Sequence, residues 1–416
     1  MERWIGRLIV CASLLVAAAA IADEMPDLDT LRKERDEQLA RYFVRELTQK
    51  RLNSAVELLE GGQYAEARKK LEDLKFARLN PYERALAYRF LAYAAIGQED
   101  SEAAVGYFEK VVEQEALGID DEASVRFSIA QIYASMGEWQ KVEEELREWF
   151  LYVDEPNAVA YYLLAISHYR REQYDQALAP ALKALEISDE PKESWLQLAA
   201  ALHLQAEDYD SAVPILEELV TRFTKKQYWI QLSLIYGARG DYENAMEIQQ
   251  LAYAQGLLTE DDELRRLART YLFHQLPYPA AEVLERGLAE GRIEPDREVL
   301  ELLGNSWIAA REYEKALAPL RRAAELSDDG RLYLRLGQVR IQREDWKEAT
   351  ELIRKAIEKG GLEDTGRAQL LLGISYYSDD LTGPALTAFR IAQQHASTRK
   401  EATAWLAHIE RQGRDG

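Results

Sequence analysis

Trp229-Ile230-Gln231-Leu232-Ser233-Leu234-Ile235-Tyr236, then Gly237-Ala238-Arg239-Gly240-Asp241, then Tyr242-Glu243-Asn244-Ala245, reads as one helix, a break and a second helix. Trp229, Leu232, Ser233 and Tyr236 follow the i, i+3, i+4, i+7 spacing of a single helical face. Gly240 permits the left-handed turn that an antiparallel return requires. Tyr242 opens the second helix and places Ala245 on its inner face. Small side chains at Ser233 and Ala245 let the two helices approach closely, so a bulky replacement at either is expected to overpack.

The same punctuation recurs ten times. The small residue is Ala67, Ala104, Val142, Ala177, Ala212, Ala245, Ala280, Ala316, Ala349 and Ala385, at steps of 33 to 38 residues. Three residues earlier stand Tyr64, Ser101, Trp139, Tyr174, Tyr209, Tyr242, Pro277, Tyr313, Trp346 and Thr382. Pro277 is tolerated because the first helical turn offers its missing N–H no partner. A period near 34 residues with this pattern is similar to the tetratricopeptide repeat (TPR), a stacked helical hairpin. The expected fold class is all-α, an α-solenoid (superhelix) of about ten TPR hairpins over residues 48–396. A charged N-terminal helix over 23–47 is expected to run into the first hairpin. Residues 397–416 should form a capping helix and tail, with Ala402, Trp405, Leu406 and Ile409 on one face.

Met1 to Ala22 has the form of a secretory signal. Arg3 and Arg7 precede the apolar run Leu8 to Ala20, and Ala20-Ile21-Ala22 offers the small-x-small cleavage site. Cleavage near Ala22 is expected, an uncleaved anchor being the alternative. Beyond it no stretch has the uncharged length of a membrane span. Cys11 is the single cysteine, so the exported form would rely on packing alone. The 73 acidic and 52 basic residues give a net charge of −21, which repels nucleic acid and favours a basic protein partner.

Little in the chain points to chemistry. His168, His203, His274, His395 and His408 form no i+3 or i+4 pair, and no cysteine could complete a metal site. Glu260-Asp261-Asp262-Glu263 precedes a helix whose dipole it offsets, and Glu143-Glu144-Glu145 reads as a solvated face. No phosphate loop, nucleophile elbow or dinucleotide fingerprint occurs. The expectation is a protein without metal or cofactor that works through a surface and is not an enzyme.

The TPR resemblance implies a concave groove lined by the first helix of each hairpin, at its second, fifth, ninth and twelfth positions. The implied peptide-binding residues are Tyr93, Phe127, Gln131, Tyr162, Ile166, Tyr169, Gln197, Gln231, Leu234, Arg265 and Arg269. Arg89, Arg331, Gln338, Glu298, Glu301 and Asn305 stand at related positions. Aromatic rings and amides suit an extended peptide.

Longer stretches carry a second resemblance: Tyr228 to Ser233, Gln255-Gly256-Leu257-Leu258-Thr259, Leu326-Ser327-Asp328-Asp329-Gly330 with Leu332-Tyr333-Leu334, Glu358-Lys359-Gly360-Gly361-Leu362, and Thr398-Arg399-Lys400 before Trp405-Leu406. Together they resemble exported TPR proteins associated with ExbB, ExbD and TonB. That resemblance implies a periplasmic adaptor supporting TonB-dependent outer-membrane transport, with a basic Pro/Lys-rich segment of TonB or another Ton-system component as partner. The alternative is a periplasmic scaffold for envelope assembly, secretion or polysaccharide export.

Overall fold

The computed structural model describes residues 27–415, so the expected signal segment lies outside the described residues. Among the described residues all regular elements are helical. Helix α1 spans Leu28–Leu39. Ten hairpins follow, each an A helix and a B helix. In the first unit (Met1–Phe223) they are α2 Glu46–Glu60 with α3 Tyr64–Glu72, α4 Pro81–Gly97 with α5 Ser101–Val112, α6 Ile119–Met136 with α7 Trp139–Leu151, α8 Ala158–Arg170 with α9 Tyr174–Glu186, and α10 Glu193–Gln205 with α11 Tyr209–Arg222. In the second unit (Thr224–Gly416) they are α12 Lys226–Ala238 with α13 Tyr242–Ala254, α14 Asp261–Phe273 with α15 Pro277–Ala289, α16 Arg297–Ala309 with α17 Tyr313–Leu326, α18 Arg331–Gln342 with α19 Trp346–Lys359, and α20 Thr365–Ser378 with α21 Thr382–Gln394. Helix α22, Arg399–Asp415, closes the second unit.

The ten alanine-type positions fall on the ten B helices, and the residue three earlier is in each case the first residue of that helix. Twelve residues before each lies a small A-helix residue, running Ala55, Ala92, Ala130, Ala165, Ala200, Ser233, Ala268, Gly304, Gly337 and Gly373, all buried. One turn beyond the B-helix position a larger side chain usually covers the small one. A Cβ at Gly304 would stand 2.4 Å from Leu320, at Gly337 2.5 Å from Ile353, and at Gly373 2.6 Å from Phe389. The helices touch there without room for another methyl group. Backbone spacing inside each hairpin follows from that contact.

The turns within hairpins differ from expectation in their residue type. Gly240 adopts φ 78° as read, yet the equivalent residues Glu99, Glu172, Glu207, Gln275, Arg311, Glu344 and Asp380 take φ between 55° and 63° with side chains attached. The local strain of about 1–2 kcal/mol per residue is tolerated because the packed hairpin dictates the turn.

The N-terminal helix also departs from expectation. α1 ends at Leu39, and residues 40–45 break the path into α2, where one continuous helix was expected. The far end of this break is held by Glu83, fully buried at the start of α4. Its carboxylate accepts the backbone N–H of Arg45 at 2.9 Å and that of Asn80 at 3.1 Å, and pairs with the Arg45 guanidinium at 2.7 Å. Arg45 is held extended by those bonds, which excludes a helix through it. At the other end α22 packs as a cap: Trp405 stacks on Phe389 at 5.5 Å, with Ala402 and Ile409 buried.

The acidic clusters divide. Asp261, Asp262 and Glu263 fall in the first turn of α14, where negative charge was expected to offset the dipole, and Glu260 and Glu263 further form a capping box there. Glu145 is not a solvated residue: it is half-buried, lies 3.4 Å from Arg126, and burial raises its carboxyl pKa.

Gly337→Leu should destabilise the chain by about 1–3 kcal/mol through overpacking against Ile353, measured by urea denaturation; a neutral result would remove the close contact as the origin of hairpin spacing. Burial pushes the Glu83 carboxyl up, but Arg45 and the backbone N–H groups outweigh it and hold the pKa down to about 2. Its stabilisation is therefore complete above the unfolded value of 4.5 and is lost as the pH falls toward about 2. Glu83→Gln should cost about 2 kcal/mol at neutral pH and flatten the acid limb of the stability curve, which acid titration of both proteins will read.

Candidate protein-binding surfaces

In the first unit aromatic contacts link A helices to B helices and, in places, one hairpin to the next. Tyr93 on α4 meets Phe108 edge-on at 5.7 Å and accepts a hydrogen bond from Arg89 Nε at 3.0 Å. Arg89 also reaches Asp121 on α6 at 2.9 Å, tying the second hairpin to the third. Phe127 lies 5.2 Å from Trp149, which meets Phe150 at 5.2 Å, which meets Tyr161 on α8 at 5.2 Å. Tyr162 stacks on Trp195 of α10 at 5.3 Å. Ile166 and Tyr169 pack with Tyr174 over Ala165, Ala177 and Leu202. Gln197 is half-buried and donates to Glu193 at 3.5 Å.

The expected groove residues therefore separate into two kinds. Phe127, Tyr162, Ile166 and Tyr169 are half-buried: Phe127 and Tyr169 pack on rings of their own hairpins, and Tyr162 joins its hairpin to the next. Tyr93 and Gln131 are exposed and open to a ligand. In the second unit Gln231 is exposed and Leu234 is 60% exposed on α12. Leu234 borders a small hollow with Ile230 and Leu258, roofed by Gln249, whose amide donates to Ser233 Oγ at 2.8 Å. Arg265 is a brace: it pairs with Asp261 and, at 2.9 Å, with Asp296, and donates to the Glu294 carbonyl at 3.0 Å. Arg269 forms an exposed pair with Glu298 at 2.6 Å.

One surface escaped the sequence reading. Helix α1 lies against the start of α6 and places two arginines among carboxylates there. Arg32 reaches Asp120 at 2.9 Å and Asp154 at 2.7 Å. Arg35 reaches the buried Glu122 at 2.8 Å and the Leu117 carbonyl at 3.0 Å. Asp154 and then Asp120 raise the Arg32 pKa, so this guanidinium stays charged. The signal available beforehand was the run Asp120-Asp121-Glu122 opposite a helix with arginines three apart, but nothing in the sequence joined segments 88 residues apart. A second cavity, of about 520 Å³, lies between α16 and α18, where Arg297, Glu301, Asn305, Asp329, Arg331 and Arg335 converge.

Residues 52–122 match one tetratricopeptide repeat family and residues 226–254 match another. The chain carries tetratricopeptide repeats, and its fold is an α-solenoid of hairpins of that type. No curated protein matches the sequence. Similar solved structures include a tetratricopeptide repeat protein from Parabacteroides merdae ATCC 43184, at 14% identity over 70% of this chain and 99% of that one, TM-score 0.35. YrrB, described as a TPR protein with an unusual peptide-binding site, is 16% identical over 45% of this chain and 95% of its own, TM-score 0.36. MamA is 21% identical over 42% of this chain and 94% of its own, TM-score 0.35.

The two kinds of groove residue should respond differently to truncation. Tyr162→Ala is expected to cost about 2–3 kcal/mol by unstacking Trp195. Gln131→Ala and Leu234→Ala should stay within about 0.5 kcal/mol. Denaturation curves of the three variants check the division.

Proposed function

We propose that this protein is a non-catalytic adaptor that holds other proteins, and that it works after export to the periplasm in support of TonB-dependent outer-membrane transport. Tetratricopeptide hairpins present side chains on a stacked array rather than enclosing a reaction centre, which favours binding over catalysis. Export rests on the reading of Met1 to Ala22, and the TonB setting on the stretches from Tyr228 to Leu406 that resemble the associated proteins. The partner segment proposed is basic and extended, rich in proline and lysine.

One observation carries the choice of a basic partner. The carboxylates at the edge of the third hairpin already engage two guanidinium groups, those of Arg32 and Arg35. That edge is chemically matched to cations, and the net charge of −21 draws a cationic segment toward it over the range that salt permits.

Binding of the periplasmic part of a TonB protein, and of a synthetic Lys-Pro peptide, should be detectable at about 50 mM salt and weaken by roughly tenfold or more at about 500 mM. Isothermal titration at both salts reads this out. Absence of association at the lower salt for both probes would end the proposal.

A further inference from the structure

We infer that the cavity between α16 and α18 is a binding site for an acidic side chain of an extended partner peptide. Arg297, Glu301 and Asn305 line it from α16; Asp329 lines it from the preceding loop, and Arg331 and Arg335 from α18. On the other A-helix surfaces of this unit arginines are engaged: Arg265 with Asp296 at 2.9 Å, Arg266 with Asp262 at 3.1 Å, Arg269 with Glu298 at 2.6 Å, and Arg367 with Glu401 at 3.0 Å. Arg340, later on α18, is engaged too, with Glu348 at 2.7 Å. Arg297 and Arg335 make no ion pair or hydrogen bond among the described residues, and neither do Glu301 and Asn305.

Reach does not explain this. Arg297 and Glu301 are four residues apart on one helix, the separation at which Arg266 and Asp262 do pair. Arg297, Arg335, Glu301 and Asn305 thus face one hollow of about 520 Å³ without an ion-pair or hydrogen-bond partner among the described residues, beside the paired Asp329 and Arg331. An acidic residue in a peptide satisfies all of them. Its carboxylate takes the two guanidinium forks of Arg297 and Arg335, while Glu301 and Asn305 accept the backbone N–H groups beside it and the Asn305 amide donates to a backbone carbonyl.

The cavity rim is held in place. Gly330 donates its N–H to the Gly360 carbonyl at 2.8 Å, and Lys359 Nζ donates to the Ala324 carbonyl at 3.0 Å. A Cβ at Gly330 would stand 2.0 Å from the Ala356 oxygen, so only glycine allows these loops to interlock. Asp329 then accepts from the Arg331 backbone at 3.0 Å and from its Nε at 2.9 Å, fixing that side chain at the rim. Leu326 to Gly330 and Glu358 to Leu362, distinctive as sequence, are the two loops that shape this site. The net charge of the chain opposes an acidic ligand at long range, so any affinity for one must arise at contact.

The test uses the full chain and a fluorescent, end-blocked (Glu-Ala)4 peptide, with (Gln-Ala)4 as its neutral counterpart, read by anisotropy. The acidic peptide should bind and the neutral one should not. The double variant Arg297→Gln/Arg335→Gln should weaken binding by roughly tenfold or more, with an unchanged denaturation curve because both side chains are exposed and unpaired. Arg390→Gln, an exposed change on α21, should leave binding intact. Equal binding by the double variant, or equal binding of the neutral peptide, would overturn the assignment. So would displacement by inorganic phosphate as effective as that by unlabelled peptide, since the site would then take any small anion. Failure of the basic-peptide experiment leaves this site untouched, because the probe has the opposite charge and meets other residues.

Discussion

A buried residue no larger than valine on each B helix faces, twelve positions back, a residue no larger than serine on its A helix, and the distance between the two helices follows from that pairing. Gly337 beneath Ile353 and Gly373 beneath Phe389 show how little freedom remains, since an added Cβ would fall 2.5 Å and 2.6 Å from the covering side chain. Once the helices are that close, the connecting turn has no choice of geometry. Seven turns are therefore driven into left-handed backbone on Glu, Gln, Arg or Asp, where glycine would be less strained. Packing inside the hairpin outweighs local preference in the turn, a common ranking where burial supplies the larger energy.

The same ranking explains what could be read from the sequence. The ten alanine-type positions and the ten B-helix starts are legible because each is a nearest-neighbour property, repeated at one period. Pro277 opening α15 and the capping face of α22 belong with them. The turns were legible only at positions such as Gly240, where the residue type advertised its conformation; Glu207 in the equivalent place gives no such sign. The break between Leu39 and Glu46 was hidden because the buried carboxylate of Glu83, which holds Arg45 extended, lies 38 residues away. Of the groove residues, the resemblance to tetratricopeptide repeats implied Tyr93, Gln131 and Tyr162 alike; the structure leaves the first two exposed, while Tyr162 is covered by Trp195 from the next hairpin, a contact no single hairpin reports. The cavity between α16 and α18 depends on two loops meeting, which no spacing rule along one helix reports.

Charge is distributed to different ends in the two units. In the first, Asp120, Glu122 and Asp154 gather at one edge and are met by Arg32 and Arg35 of α1, so that edge is already written for guanidinium chemistry. In the second, most arginines of the A helices are engaged in pairs, while Arg297 and Arg335 line one cavity with Glu301 and Asn305 and make no ion pair among the described residues. Most of the pairs are exposed, and exposed pairs contribute little to stability. Their value is selective: each removes a cation from the A-helix surfaces of this unit, so Arg297 and Arg335 stand out there.

The sixth hairpin, whose sequence is the clearest signature of the fold, is also where the packing rule bends. In the other nine the position one turn past the B-helix alanine carries Leu, Ile, Phe or Ala; here it carries Gln249. Gln249 donates to Ser233 Oγ at 2.8 Å, and Ser233 Oγ donates to the Ala245 carbonyl at 3.0 Å, so a polar chain replaces an apolar plug. Directional bonds fill space less completely than a branched side chain does. Ala245 accordingly keeps 7% of its surface, where the equivalent alanines of the other B helices keep none, and a hollow edged by Ile230, Leu234 and Leu258 opens beside it. The substitution leaves helix geometry intact while exchanging buried apolar area for hydrogen bonds that reach solvent. Leu234, 60% exposed on that same hairpin, edges this hollow, at the position that Tyr93, Gln131 and Arg269 occupy, also exposed, in other hairpins. Loosened packing at Ala245 follows from one glutamine, whereas the exposure of Leu234 follows from its place on the A helix.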